Sequence, residues 1–145
     1  MPEKRLSSLD ELPALVEEVL SILPRRESGA GVIALHGELG AGKTAFVQAL
    51  GRALGVREHI TSPTFVLMKS YNTPRHDFFN TLIHIDAYRI DDASEMTTLH
   101  FKELLQRPRT LVAIEWAERI EGLLPHDAVH LTLTHEGDTT RKVVY

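Results

Sequence analysis

The sequence predicts a three-layer α/β/α sandwich built on a mixed central sheet, and three observations carry that expectation. Short apolar, strand-like runs alternate with segments whose apolar residues recur at helical spacing. One such run, Gly31 to His36, passes through a glycine-rich turn straight into a helix over about Lys43 to Leu54. The C-terminal half is rich in strands with few helices between them, which implies antiparallel pairing that a wholly parallel sheet lacks.

The elements follow in chain order. Ser8-Leu9-Asp10-Glu11 fits a capping box, with Ser8 as the cap and Glu11 reaching back. Leu12, Leu15, Val16, Val19, Leu20 and Leu23 then recur at helical spacing until Pro24 stops the run. In the next helix Phe46, Val47, Leu50 and Leu54 share one face, and Gly55 stands where a C-terminal cap belongs. Strands are expected over Thr64 to Tyr71, Thr81 to Asp86, Thr110 to Glu115 and Val129 to Thr134, with a short last strand over Arg141 to Tyr145. Asp92 to Leu105 reads as a helix with Asp91 or Asp92 near its start, and Asn72 to Asp77 as a surface loop. No repeat or linker divides residues 1–145, which read as a single domain.

Composition narrows the function. Hydrophobic residues make up 43% and charged residues 25%, the balance of an ordinary globular chain. A net charge of -4 supplies no overall basic field for holding DNA or RNA. The absence of cysteine excludes disulfides and cysteine-based zinc sites, and makes the cytoplasm the simpler expectation. Met1-Pro2-Glu3-Lys4-Arg5 is not followed by the apolar stretch of a signal peptide. No apolar run approaches the ~20 residues that a bilayer requires, so a membrane role is not expected.

Gly37-Glu38-Leu39-Gly40-Ala41-Gly42-Lys43-Thr44 meets the pattern Gly-x4-Gly-Lys-Thr, between a strand and a helix. Its glycines let the backbone turn tightly enough to aim successive N–H groups at phosphate oxygens. The helix that follows presents free N–H groups and the positive end of its dipole to the same anion. Lys43 supplies a point charge for the outer phosphates and the Thr44 hydroxyl a ligand for Mg²⁺, so the loop predicts ATP with Mg²⁺ and a P-loop fold.

Two apolar runs end in an acid, Leu82-Ile83-His84-Ile85-Asp86 and Leu111-Val112-Ala113-Ile114-Glu115. Acids at the C-terminal ends of such strands face the crevice where ligands bind in open α/β sheets. One would hold the metal and the other orient a water; spacing does not decide which. His84 and Asp86 share a strand face, but no third residue at suitable spacing completes a zinc site.

Taken with Thr61-Ser62-Pro63-Thr64-Phe65, His84-Ile85-Asp86-Ala87-Tyr88-Arg89 and Ile114-Glu115-Trp116, the loop resembles that of the bacterial TsaE family, over nearly the whole chain. That family is the ATPase component of the machinery making threonylcarbamoyladenosine in tRNA. The resemblance implies that Lys43 binds the phosphates, that Thr44 and Glu115 ligate Mg²⁺, and that Asp86 is a catalytic or supporting acid. It gives Ser62-Pro63-Thr64-Phe65 the part of a switch sensing the γ-phosphate, and Trp116 a place near the site or a partner. The partners implied are TsaB and TsaD, with tRNA reached through that complex. The sequence departs from the family pattern in having Glu38 for aspartate, Ala45 for threonine and His100 for glycine.

Two other classes compete. A small-molecule kinase would need an acceptor pocket and an arginine-bearing lid, whereas Arg75, Arg89, Arg107 and Arg109 are sparse. A GTP-binding switch would need the Asn-Lys-x-Asp element that reads guanine, which the sequence lacks.

Overall fold

Seven strands form one sheet in the order β1-β7-β6-β2-β5-β4-β3. The computed structural model of the chain describes residues 2–25, 27–38, 40–61 and 68–145. The strands are β1 (Glu3–Leu6), β2 (Gly31–Gly37), β3 (Met68–Asn72), β4 (Thr81–Asp86), β5 (Thr110–Glu115), β6 (Val129–His135) and β7 (Arg141–Val144). The helices are α1 (Leu12–Ile22), α2 (Lys43–Leu54) and the short α3 (Phe101–Leu104).

The four central strands β6, β2, β5 and β4 are parallel, while β3 and the β7–β1 pair add antiparallel edges. The sheet is therefore mixed, as the strand-rich C-terminal half requires. Hydrophobic alternation explains how its two faces are covered. Ile33, Leu35, Leu111 and Leu131 pack with Leu15, Val19, Phe46 and Leu50 of α1 and α2. Val32, Ala34, Val112 and Ile114 meet Met96, Phe101 and Ile120 on the opposite face. That second outer layer is made mainly of 3₁₀ turns, Ala93–Leu99 and Ala117–Leu123, with α3 between them.

Several expected elements differ in detail. The Asp92 to Leu105 segment is no continuous α-helix, because it breaks at His100, which sits in the left-handed region at φ 53°. Its start is as expected: Asp92 accepts from the Ser94 N–H while Glu95 accepts from the Asp92 N–H. Position 100 thus needs the conformation glycine adopts most freely, which is the physical meaning of the departure at that site. At the N-terminus, Ser8 caps through the Asp10 N–H, but Glu11 accepts from Ser7 rather than Ser8. The cap opens a 3₁₀ turn, Leu9–Glu11, and α1 begins only at Leu12 with Pro13 in its first turn. Strand β1 was not foreseen, since four residues with three charged side chains carry little periodic signal. Of the strand expected from Thr64, Met68 to Tyr71 lies in β3, and residues 64–67 lie outside the described residues.

The turn out of β2 is set by one close approach. A Cβ on Gly37 (φ 140°) would stand 2.5 Å from the Leu133 carbonyl oxygen of β6, so only glycine fits without moving the strand. Gly37→Ala is expected to lower unfolding free energy by about 2 kcal/mol, the scale of a strained backbone position. Urea denaturation followed by circular dichroism measures it; an unchanged midpoint would contradict this account.

Candidate phosphate and metal site

The loop between β2 and α2 lies at the C-terminal ends of the parallel strands, and its backbone geometry follows from its glycines. Gly42 takes φ 109° and caps α2, its carbonyl accepting the Phe46 N–H at 2.9 Å. Ala41 N–H donates to the Glu38 carbonyl at 3.1 Å, closing the turn. Ala41 is buried, whereas Glu38 and Gly40 are exposed; Leu39 lies outside the described residues.

The neighbouring strands β6 and β7 hold the loop by two side chains. His135 Nε2–H donates to the Gly40 carbonyl at 2.6 Å and Arg141 Nε–H to the Ala41 carbonyl at 3.0 Å. These two residues are register partners across β6 and β7. Both contacts use backbone carbonyls as acceptors, so they occupy none of the N–H groups an anion would need.

Lys43 is only 4% exposed. Its ammonium donates to the Gly37 carbonyl and, at 2.9 Å, to the Glu38 carbonyl, and it lies 4.0 Å from the centre of the Trp116 ring. Burial pushes its pKa below the ordinary lysine value, while Glu115, then Glu118 and Asp86, oppose that shift. Three acids thus act on one buried cation.

Glu115 ends β5 and is 3% exposed. The Thr44 hydroxyl lies 2.9 Å and 3.0 Å from its two oxygens. Glu115 Oε2 also accepts from Nε2–H of His84, at 2.6 Å; an ionised carboxylate has no proton to give. Asp86 stands beside Glu115 in the register of β4 and β5, and its Oδ1 accepts the Tyr88 N–H at 2.9 Å.

The structure therefore brings Lys43, Thr44, Asp86, Glu115 and Trp116 together with the loop. Ser62, Pro63, Thr64 and Phe65 lie outside the described residues. Ala45, in the first turn of α2, packs against the apolar core. Three contacts escaped sequence reasoning: His84 on Glu115, the Trp116 ring on Lys43, and the hold of His135 and Arg141 on the loop. The first depended on parallel register, and the others join segments about 70 to 100 residues apart, beyond any local pattern.

Trp116 itself is left-handed, at φ 58°. This turn ends β5 and aims the indole at Lys43 on one side and at Tyr88 on the other, 5.0 Å between ring centres. Next to it opens a cavity of about 610 Å³, lined in part by Gly37, Glu38, Trp116, Glu118 and His36. His36 bridges Glu118 (3.1 Å) and His130 (2.9 Å).

The TsaE family model, described as threonylcarbamoyl adenosine biosynthesis protein TsaE, matches residues 6–143. The chain belongs to the TsaE family. Among its relatives, the TsaE protein of Bacillus subtilis is 35% identical over 79% of this chain and 68% of its own length. The TsaE of Treponema pallidum is 34% identical over 85% and 87%, and that of Aquifex aeolicus 38% identical over 82% and 79%. A crystal structure of Bacillus subtilis YdiB superposes with a TM-score of 0.70 at 27% identity, covering 98% of this chain and 82% of that one. The P-loop-type α/β fold is thus shared with a solved TsaE-like structure. Among the described residues no helix is long and apolar enough to cross a membrane.

The histidine bridge makes the cavity wall of this TsaE-family chain sensitive to acid. Burial chiefly, and the neighbouring His36 next, hold the His130 pKa below its ordinary value, against a smaller opposite pull from Glu121. A lowered folded-state pKa means that folding favours neutral His130. Its contribution is present above the unfolded value of about 6.5 and is lost as pH falls through the lower folded value. Melting temperatures from pH 7.5 to 5 should fall less for His130→Gln than for the wild type. Equal acid sensitivity would remove His130 as a cause.

Proposed function

We propose that this chain binds ATP with Mg²⁺ and hydrolyses it as the nucleotide-driven component of threonylcarbamoyladenosine biosynthesis, acting in the cytoplasm with TsaB and TsaD. The observation that carries this reading is the meeting of the Thr44 hydroxyl with both oxygens of Glu115, beside buried Lys43. A phosphate-facing cation next to a paired hydroxyl and carboxylate is what phosphoryl transfer needs, because its catalysis rests on positioning and charge rather than on covalent chemistry.

The residues present fit the metal. Thr44 and Glu115 offer hard oxygen donors of the kind Mg²⁺ takes, along with phosphate oxygens. Once bound, the ion would supply neutralisation of charge on the outer phosphates. The protein's own contributions are more specific. The loop Glu38, Leu39, Gly40, Ala41 and Gly42 would orient the phosphates through its backbone N–H groups, that of Ala41 exchanging its Glu38 carbonyl for phosphate, and Lys43 would steady the terminal ones. Thr44–Glu115 contact favours Glu115 as the metal ligand, which leaves Asp86, one strand further out, to orient the attacking water. Ser62-Pro63-Thr64-Phe65 follows α2 in sequence and completes the proposal as the γ-phosphate switch.

Partner dependence is part of the reading. Tyr88 is 46% exposed and packs on Trp116, so the rim of the site presents aromatic surface to a neighbour. TsaB and TsaD would meet the nucleotide site there, and tRNA would be reached through them. Among the described residues no arginine lines the cavity beside Trp116, so it gives no support to a kinase acceptor site.

ATP turnover and binding should be measured with and without TsaB and TsaD, for wild type and Lys43→Ala. Loss of a charged hydrogen-bond donor, at about 1.5–3 kcal/mol, corresponds to a ~10- to 100-fold drop in ATP affinity. Phosphate should be released without any added acceptor, and faster with the partners. Full binding and turnover by Lys43→Ala would overturn the assignment.

A further inference from the structure

His84 is fully buried in a strand whose neighbours Leu82, Ile83 and Ile85 are apolar. Its Nε2–H meets Glu115, while Nδ1 finds no hydrogen-bond partner among the described residues. An imidazole is an unfavourable choice for such a place, since one ring nitrogen loses its water and gains nothing in return. An aliphatic side chain would fill the space without that cost. What an aliphatic residue lacks is the donor that reaches Glu115.

The register explains how the donor arrives. On the parallel β4–β5 pair, His84 lies opposite Ala113 and Asp86 opposite Glu115. His84 therefore reaches one diagonal step forward, past a small alanine, to the carboxylate. Glu115 then sits between two donors, His84 on one side and the Thr44 hydroxyl on the other. Its freedom to rotate is removed before any ligand arrives.

We propose that His84 is a positioning residue, whose Nε2–H fixes the Glu115 carboxylate toward Thr44 so that the two form a ready-made Mg²⁺ site. This rests on the reading of Thr44 and Glu115 as the metal-holding pair. Hydrogen bonds to a ligating carboxylate orient it and support its affinity, and losing such a partner commonly costs ~10- to 100-fold in metal binding.

The test is titration of a fluorescent ATP analogue, in EDTA and across a Mg²⁺ series, on wild type, His84→Gln and His84→Asn. The glutamine amide nitrogen falls where Nε2 stands, whereas that of asparagine stops near Nδ1. All three should bind alike in EDTA, within about twofold. Wild type and His84→Gln should show the same Mg²⁺ dependence, and His84→Asn should need at least ~10-fold more Mg²⁺ for half effect. Melting temperatures recorded alongside separate this from general loss of structure. Wild-type behaviour in His84→Asn, or equal losses in both variants, would overturn the proposal. A wild type indifferent to Mg²⁺ would instead sink the metal-pair reading, and this inference with it. If a variant does not fold, the imidazole ¹⁵N shifts of the wild type decide: protonated Nε2 at His84 supports the proposal and a protonated Nδ1 overturns it.

Discussion

A carboxylate that is 97% shielded from water has to be given partners by the fold, and in this protein much of the site's arrangement follows from satisfying Glu115. An unpaired buried charge would cost several kcal/mol, so β5 could not end in an acid there without neighbours to receive it. β4 provides one in His84, and the first turn of α2 provides the other in Thr44. Lys43 adds a compensating positive charge nearby. The parallel register of β2, β5 and β4 is thereby tied to the chemistry, because a slip of one residue would turn His84 and Glu115 to the wrong faces.

The strands on the other side of β2 matter for a different reason. β6 and β7 contribute no acid to the centre, yet they grip the phosphate loop at Gly40 and Ala41 and crowd it at Gly37. A loop of this kind binds anions by pre-aimed N–H groups, and aiming them after binding would cost conformational entropy at each residue. Placing His135 and Arg141 on neighbouring strands ties the Gly40 and Ala41 carbonyls to the sheet. The antiparallel addition of β7 brings Arg141 to the Ala41 carbonyl.

How much of this could be read from the chain depends on range. The phosphate loop, α2 and the strands β2, β4 and β5 were legible because each is local: glycine spacing, helical periodicity and apolar runs ending in an acid. The mixed sheet followed from counting strands against helices. The segment from Asp92 to Leu105 misled because its apolar spacing suits a helix, while the left-handed turn at His100 is decided by packing of Met96 and Phe101 against the sheet. β1 hid behind Glu3, Lys4 and Arg5, since an edge strand exposes its side chains and needs little hydrophobic signal. His84 was seen as a face-mate of Asp86, but its partner is Glu115, a choice visible only once two strands 31 residues apart are aligned.

Trp116 shows how these constraints combine. A tryptophan in the left-handed region is strained, and such strain persists only where the surroundings impose it. Here it lays the indole face on the Lys43 ammonium, a contact worth about 1–2 kcal/mol. In the proposed ATP complex a phosphate charge about 4 Å from the same ammonium contributes roughly 4 kcal/mol at an effective dielectric of 20. In that proposed complex the phosphate would therefore compete with the ring for the Lys43 ammonium. The ring is also held by its own backbone turn and by Tyr88 at that exposed rim. On the proposed function, the Lys43–Trp116 contact would link the phosphate site to the exposed aromatic rim.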